Sequence, residues 1–277
     1  MSKPIIIIFS TSYHPFIGGA EIAAAEIAKR LASDVIFHVI TARHTRGLAK
    51  HEEVGTVAVS RVGFGSRFDK ILLPFLGMLE CRRIMRARSE SQPVILFGLD
   101  VSQGALAAVF AKWRYPRIPF ILNIQYGEEA ERLKRGYRGA AFRLMLAYAD
   151  QVTAISNYLG DMARMCGYCG PLSIIPNGVD TKKFLCASDT ARDPNLVMSV
   201  SRLVRKNGID ILIRAIAAAA GQNPAIRCEI IGEGPEHTAL AGLARALGVE
   251  DRVVFRGSVR HEDLASYLCH AALFVRS

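Results

Sequence analysis

Residues Ile5–Phe9 form a run that is apolar at every position and mostly β-branched, with no alternation of polar side chains. A strand of that kind is buried on both faces, the situation of a parallel sheet covered by helices. The rest of the chain repeats the theme. Ala24, Ile27, Ala28 and Leu31 are spaced as one helix face. Strands are then expected at Val35–Ile40, Val54–Val62, Pro93–Phe97, Ile118–Gln125, Gln151–Ile155 and Leu172–Ile175. Helices are expected between them at Ile71–Arg88, Val101–Lys112, Arg138–Ala149 and Asn157–Met165. Residues 1–179 therefore read as a doubly wound α/β domain.

The stretch 180–195 is polar and without periodicity, and reads as a linker. The alternation then restarts, with strands at Leu196–Val200, Arg227–Ile231, Val253–Phe255 and Ala272–Val275. The intervening helices carry Ile209, Leu212, Ile213 and Ile216, then Leu240, Leu243, Ala244 and Leu247, then Glu262–Leu268. Residues 196–277 read as a second Rossmann-like domain, incomplete because its last strand has no covering helix. Either the chain is truncated or a partner covers that face. The length of 277 residues accommodates two such domains. They are expected to face each other across a cleft, with ligands at the carboxyl ends of the strands.

Hydrophobic residues make up 51% and charged residues 22%, which excludes disorder, collagen and coiled coil. A mean hydropathy of +0.21 raises the question of a membrane span. Spanning needs about 20 apolar residues in a row. The nearest stretch, Ile209–Ala220, contains Arg214 and stops at Gly221. Ile5–Phe9 is too short for a signal-peptide core, so a cytoplasmic protein is expected. Of the cysteines Cys81, Cys166, Cys169, Cys186, Cys228 and Cys269, only Cys166 and Cys169 form a C-x-x-C pair. No second pair or nearby His completes a zinc set. Reduced thiols and no metal site are expected.

The net charge of +10, from 35 Lys and Arg against 25 Asp and Glu, points to anionic partners. No RNA-binding motif or zinc finger is present, so nucleic acid is set aside. Arg82, Arg83, Arg86 and Arg88 gather on one expected helix with Ile84 and Met85 between them. That is either a solvated face or an amphipathic surface resting on an anionic membrane, which would make the protein peripheral on the inner face.

Gly18-Gly19 separates the first strand from the first helix. It is either a tight turn or a place where backbone approaches an anion at a helix N-terminus. No glycine stands at positions 20 to 23, so the G-x-G-x-x-G spacing of a nicotinamide oxidoreductase is absent. Glu21 complements the helix dipole. In the second half, Ser201–Gly208 brings Arg202, Arg205 and Lys206 to a strand-to-helix loop. Those cations suit a diphosphate or are ordinary surface charge. Gly232-Glu233-Gly234-Pro235 either closes over a ligand or starts the next helix.

Together, Gly18-Gly19-Ala20-Glu21, Pro176-Asn177-Gly178-Val179-Asp180 with Phe184, Ser201-Arg202-Leu203 with Gly208, Gly232-Glu233-Gly234-Pro235, and Leu247-Gly248 through Arg252 to Val259 resemble the retaining glycosyltransferases of the GT-B fold, family-4 type (glycosyl transferases group 1). The resemblance runs the length of the chain. It implies transfer of a hexose, with retention of configuration, from a nucleotide-sugar donor to a polysaccharide or lipid-linked acceptor. It implies neither metal nor cofactor. By the resemblance, Gly18 and Gly19 approach the donor diphosphate and Arg202 neutralises it as it leaves. Lys206, Gly232 and Glu233 belong to donor loops, and the Gly257–Arg260 loop, with Val259 and Arg260, lies beside the nucleobase.

Three departures from the family pattern stand out. Asn207 occupies the slot of a lysine, with Lys206 one residue earlier as its stand-in. Gln125 occupies the place of a sugar-contacting histidine. It can hydrogen-bond a hydroxyl but is no general base. The glycine-rich loop and paired glutamates that follow the last strand in the family are not in the sequence. The expectation is therefore an active transferase represented without its C-terminal end, or a catalytically inactive or partner-dependent chain. A sugar-nucleotide epimerase or phosphorylase of the same fold is a further alternative.

Overall fold

The computed structural model describes residues 2–16, 18–125, 136–187, 190–260 and 262–276. The chain divides into two compact units, Met1–Gly178 and Val179–Ser277. Each is an α/β sandwich around its own sheet.

The first unit contains strands β1 (Ile5–Phe9), β2 (Ile36–Ala42), β3 (His51–Val54), β4 (Val57–Val62), β5 (Val94–Leu99), β6 (Phe120–Ile124), β7 (Gln151–Ala154) and β8 (Leu172–Ile174). Helices α1 (Gly19–Leu31), α2 (Asp69–Ala87), α3 (Gln103–Arg114), α4 (Gly136–Tyr148) and α5 (Asn157–Met165) connect them. The strand order is β3-β4-β2-β1-β5-β6-β7-β8. All described pairings are parallel except β3 with β4. The period of two along β1 explains its unbroken apolar run. Ile7 and Phe9 enter one core with Leu73, Phe120 and Phe142, whereas Ile8 enters the other with Ala24, Ala28 and Val39.

The single strand expected over 54–62 is instead a hairpin. His51-Glu52-Glu53-Val54 pairs antiparallel with β4, and Gly55 turns between them at φ +61°. Polar side chains are tolerated on β3 because it is the sheet edge. Glu52 also meets Arg61, whose side chain is buried, at 2.6 Å. The arginine-rich helix packs by one face only. Ile84 is buried in the core, and Arg83 is held by Glu80 at 2.6 Å. The large apolar side chains that α2 exposes are Ile71, Leu72, Phe75 and Leu79.

In the second unit, β9 (Asp193–Val200), β10 (Arg227–Ile231), β11 (Val253–Gly257) and β12 (Ala271–Phe274) form a parallel sheet of order β11-β10-β9-β12. Helices α6 (Ile209–Ala220), α7 (His237–Ala246) and α8 (Leu264–His270) cover it. Val197 and Ile230 join the α6 and α7 side, and Met198 and Ile231 the other. The stretch 180–195 contains a 3-10 turn at Thr181–Phe184 and the first three residues of β9.

That turn folds its neighbours onto α8, and Cys186 is disulfide-bonded to Cys269. The expectation of six reduced thiols is corrected for this pair. Residues 83 positions apart met through tertiary folding that no spacing rule encodes. Cys81 and Cys228 remain free, and burial pushes both thiols up to about 12. Such groups are inert packing side chains.

Candidate functional site

Ligands of open parallel sheets sit beyond the strand carboxyl ends where the winding reverses. In the first unit the reversal falls between β1 and β5, which pair from Ile5↔Val94 to Phe9↔Gly98. Gly18 caps α1 with extended backbone, and its N–H donates to Glu21 Oε2 at 2.9 Å. Glu21 thus closes the first helical turn as well as complementing the dipole. A side chain on Gly19 would meet nothing within 4 Å, so the space over that residue is open. His44, just past β2 at φ 56°, places Nε2 3.0 Å from Thr11 O and 3.1 Å from Ser12 Oγ.

The loop after β5 lies against the same strand end. Asp100 holds φ 63° and accepts the Val101 N–H at 2.8 Å. Ser102 caps α3 by accepting the Ala105 N–H at 3.3 Å. A Cβ on Gly104 would fall 2.5 Å from the Ser10 carbonyl carbon, so only glycine lets α3 begin there. The Gly104 N–H donates to Thr11 Oγ1 at 3.2 Å. Among the described residues His44 and Asp100 are the only non-glycines at positive φ, and both follow strand carboxyl ends. Strained backbone concentrates at functional rims. Sequence reading passed over His44, Asp100 and Gly104. The Asp-Val-Ser-Gln-Gly string after a strand was the available signal for the last two.

Gln125 follows β6 and sits in a chain of amides. Its Nε2 donates to Asn123 Oδ1 at 2.8 Å, and its Oε1 accepts from Asn177 Nδ2 at 2.8 Å. Asn123 Nδ2 in turn donates to Thr153 Oγ1 at 2.9 Å, where both side chains are buried. The Pro-Asn-Gly motif and the Gln125 position, 52 residues apart, are thus one assembly. Segment 126–135, which carries Tyr126-Gly127-Glu128, lies outside the described residues.

In the second unit the winding reverses at β9, and three loops at strand carboxyl ends are stitched together. The Leu203 N–H donates to Glu233 O at 2.9 Å, the Gly232 N–H to Gly257 O at 2.8 Å, and the Glu236 N–H to Leu203 O at 3.1 Å. A Cβ on Gly232 would lie 2.0 Å from Ser201 O, and one on Gly234 2.2 Å from Leu203 O. Both glycines are therefore dictated by loop-on-loop contact rather than by the start of α7, which begins two residues after Pro235. Glu233 Oε1 accepts the Ser258 N–H at 3.3 Å.

Asn207 is buried and donates from Nδ2 to Arg202 O at 2.8 Å, fixing the loop that carries Arg202 and Lys206. Gly208, at φ 60°, then turns the chain into α6. Val259 packs partly into the core beside Met198 and Ile231. Arg260 is exposed and paired with Asp263 and Glu262, which raise its pKa, the Asp263 hydrogen bond most. Among the described residues no three His, Cys, Asp or Glu side chains gather as a metal site, and no helix is long and apolar enough to cross a membrane.

The sequence model of Glycosyltransferase Family 4 matches residues 17–183, and that of Glycosyl transferases group 1 matches residues 181–277. The chain belongs to Glycosyltransferase Family 4. This glycosyltransferase is 35% identical over 138 residues to a GDP-mannose-dependent alpha-(1-6)-phosphatidylinositol monomannoside mannosyltransferase of Mycolicibacterium smegmatis, across 46% of the chain and 36% of that relative. It spans about a third of the length of the first curated relatives it matches. Among solved structures it resembles sucrose-phosphate synthase from Thermosynechococcus elongatus, with TM-score 0.75, 17% identity, and coverage of 99% of this chain and 75% of that one. It also resembles Anabaena HepE in complex with UDP-glucose, with TM-score 0.68, 16% identity, and coverage of 99% and 73%. At these identities the likeness is one of fold. It matches the GT-B pair of Rossmann-like sheets expected of the family-4 glycosyltransferase sequence.

Proposed function

We propose that this glycosyltransferase moves a hexose from a nucleoside diphosphate sugar to a glycan or lipid-linked acceptor with retention of configuration. The observation that carries the reading is the stitched platform of Ser201–Gly208, Gly232–Pro235 and Gly257–Arg260. It presents Arg202 and Lys206 at the switch of a parallel sheet. Charge stabilisation then falls to these cations and to the N-terminus of α6, with no metal or further cofactor in the reading. The bond from the anomeric carbon to the diphosphate oxygen breaks through an oxocarbenium-like state. The acceptor oxygen bonds to that carbon on the same face, and its proton passes to the departing diphosphate. Arg202 stabilises the negative charge that develops there. Gln125, held by Asn123 and Asn177, orients a sugar hydroxyl, since an amide cannot take the proton. The nucleotide in solved HepE supports the donor class.

Incubation with UDP-glucose and GDP-mannose, followed by proton NMR, tests this reading. Retention predicts that the new anomeric proton has the configuration of the donor, and an inverted product rejects it. Failure to bind either nucleotide in saturation-transfer NMR favours the inactive or partner-dependent alternative. Product formed without acceptor would point to an epimerase. Peripheral placement on an anionic membrane is part of the proposal. It is supported by Ile71, Phe75 and Leu79, exposed at 60, 63 and 52% at helical spacing along α2. Co-sedimentation with anionic vesicles at low salt, lost at high salt, is expected.

A further inference from the structure

At the amino-terminal ends of β5 and β6 lies a hollow of about 580 Å³, on the far side of the sheet from the strand ends described above. Arg82, Arg86 and Arg88 line it from α2 and its cap, and Arg114 and Arg117 from the end of α3 and the turn into β6. Tyr115 and Ile118 add apolar wall.

Among the described residues none of these arginines is paired with a carboxylate. Glu80 pairs with Arg83 instead, and Asp150 with Lys112. Arg88 Nη1 donates to the carbonyls of Ser89, Glu90 and Gln92, while its Nε is buried without an acceptor. Helix C-termini attract cations, which accounts for Arg86 and Arg114 in their last turns. It does not account for Arg82, for Arg117 beyond α3, or for the orphaned Arg88 donor. Like charges lining one hollow repel unless an anion joins them. Guanidinium forks match phosphate oxygens two by two.

We propose that this hollow binds a phosphate ester, either free in solution or as the headgroup of a lipid, at a site separate from glycosyl transfer. The inference does not depend on the transferase reading, because its residues and its test lie at the opposite, amino-terminal end of the strands.

Trp113, the sole tryptophan, precedes Arg114 in the chain and is 75% exposed, which gives an optical signal to read beside the heat of binding. Its fluorescence and the heat of binding are followed during titration with glycerol 3-phosphate. The same is done with phosphatidylcholine vesicles with and without phosphatidylglycerol. An Arg86→Gln/Arg117→Gln variant is compared with Arg67→Gln/Lys70→Gln, which removes equal charge near the other end of α2. Circular dichroism melts establish that both fold. Saturable glycerol 3-phosphate binding is expected, weakened about tenfold or more only in the first variant. Phosphatidylglycerol vesicles that compete with it identify a headgroup site, and vesicles without effect identify a soluble ester. Equal weakening in both variants overturns the proposal, as does a non-saturating response. Absence of both heat and fluorescence change with every probe overturns it as well.

Discussion

Asn177 Nδ2 donates to Gln125 Oε1 at 2.8 Å, so the loop after β8 holds the side chain that follows β6. Asn177 is exposed, whereas Asn123 at the other end of the chain is buried. Asn177→Ala is expected to lower turnover while costing stability only about 0.5–1.5 kcal/mol, the net contribution of one hydrogen bond. Asn123→Ala leaves Gln125 Nε2 and the buried Thr153 hydroxyl without a partner and is expected to cost about 1–3 kcal/mol. Urea midpoints and initial rates of the two variants separate these effects. Identical profiles would remove the distinction.

Arg202→Ala is expected to weaken nucleoside diphosphate binding by about 1.5–3 kcal/mol, the scale of a charge-assisted hydrogen bond. Isothermal calorimetry with UDP and GDP measures it. Unchanged affinity for both takes Arg202 out of the site.

Gly234→Ala places a methyl group 2.2 Å from Leu203 O, inside van der Waals contact with backbone that is itself hydrogen-bonded. The second unit should lose on the order of 3 kcal/mol. Gly242→Ala, whose added methyl meets nothing within 4 Å, is the control and should stabilise α7 slightly. Thermal melts of the two variants should move in opposite directions.

Asp69 controls the entry to α2. Burial pushes its carboxyl up, but the N–H groups of Ser66, Phe64 and Gly65 and the Ser66 hydroxyl outweigh that and hold it below its ordinary value of 3.8. With the folded value depressed, the stabilisation is complete above the ordinary carboxylate range and is lost as pH falls through the folded value. The stability gap between wild type and Asp69→Asn should therefore be flat near neutrality and narrow steadily below about pH 4. A gap independent of pH down to acid unfolding would contradict this.

The Cys186–Cys269 bridge closes a separation of 83 residues. Thiol counting on the oxidised, denatured chain should find four reactive groups, and six after reduction. Cys186→Ser is expected to cost the second unit about 2–4 kcal/mol. Six thiols without reductant would show that the bridge does not form in solution.

The elements most legible in the sequence were those whose local pattern and tertiary role agree. Ile5–Phe9, Asn157–Met165 and Arg227–Ile231 begin and end in the structure where periodicity placed them. β3 was missed because His51-Glu52-Glu53 carries no apolar signal, and an edge strand needs none. Gly104, Gly232 and Gly234 were visible as residues, but their cause is a close approach by backbone distant in sequence. Pattern cannot reveal that. Arg202 and Gln125 stood out through resemblance, whereas the carbonyl anchor from Asn207 and the amide clamp from Asn177 required coordinates. The arginine hollow was half legible. Arg82, Arg86 and Arg88 share one segment, but Arg114 and Arg117 reach them only through packing of α2 on α3.

The strand order β11-β10-β9-β12 has a consequence for how the second unit is made. β9 is internal to the sheet yet the first of its four strands to be made, and β12, which covers its other flank, is synthesised after β10 and β11. Ala271 pairs with Asp193, so one side of β9 presents open backbone donors and acceptors throughout the elongation of the intervening segment. A nascent chain in that state is a template for any extended peptide nearby. Ribosome pausing or chaperone capture before β12 emerges would set how long that side of β9 stays open.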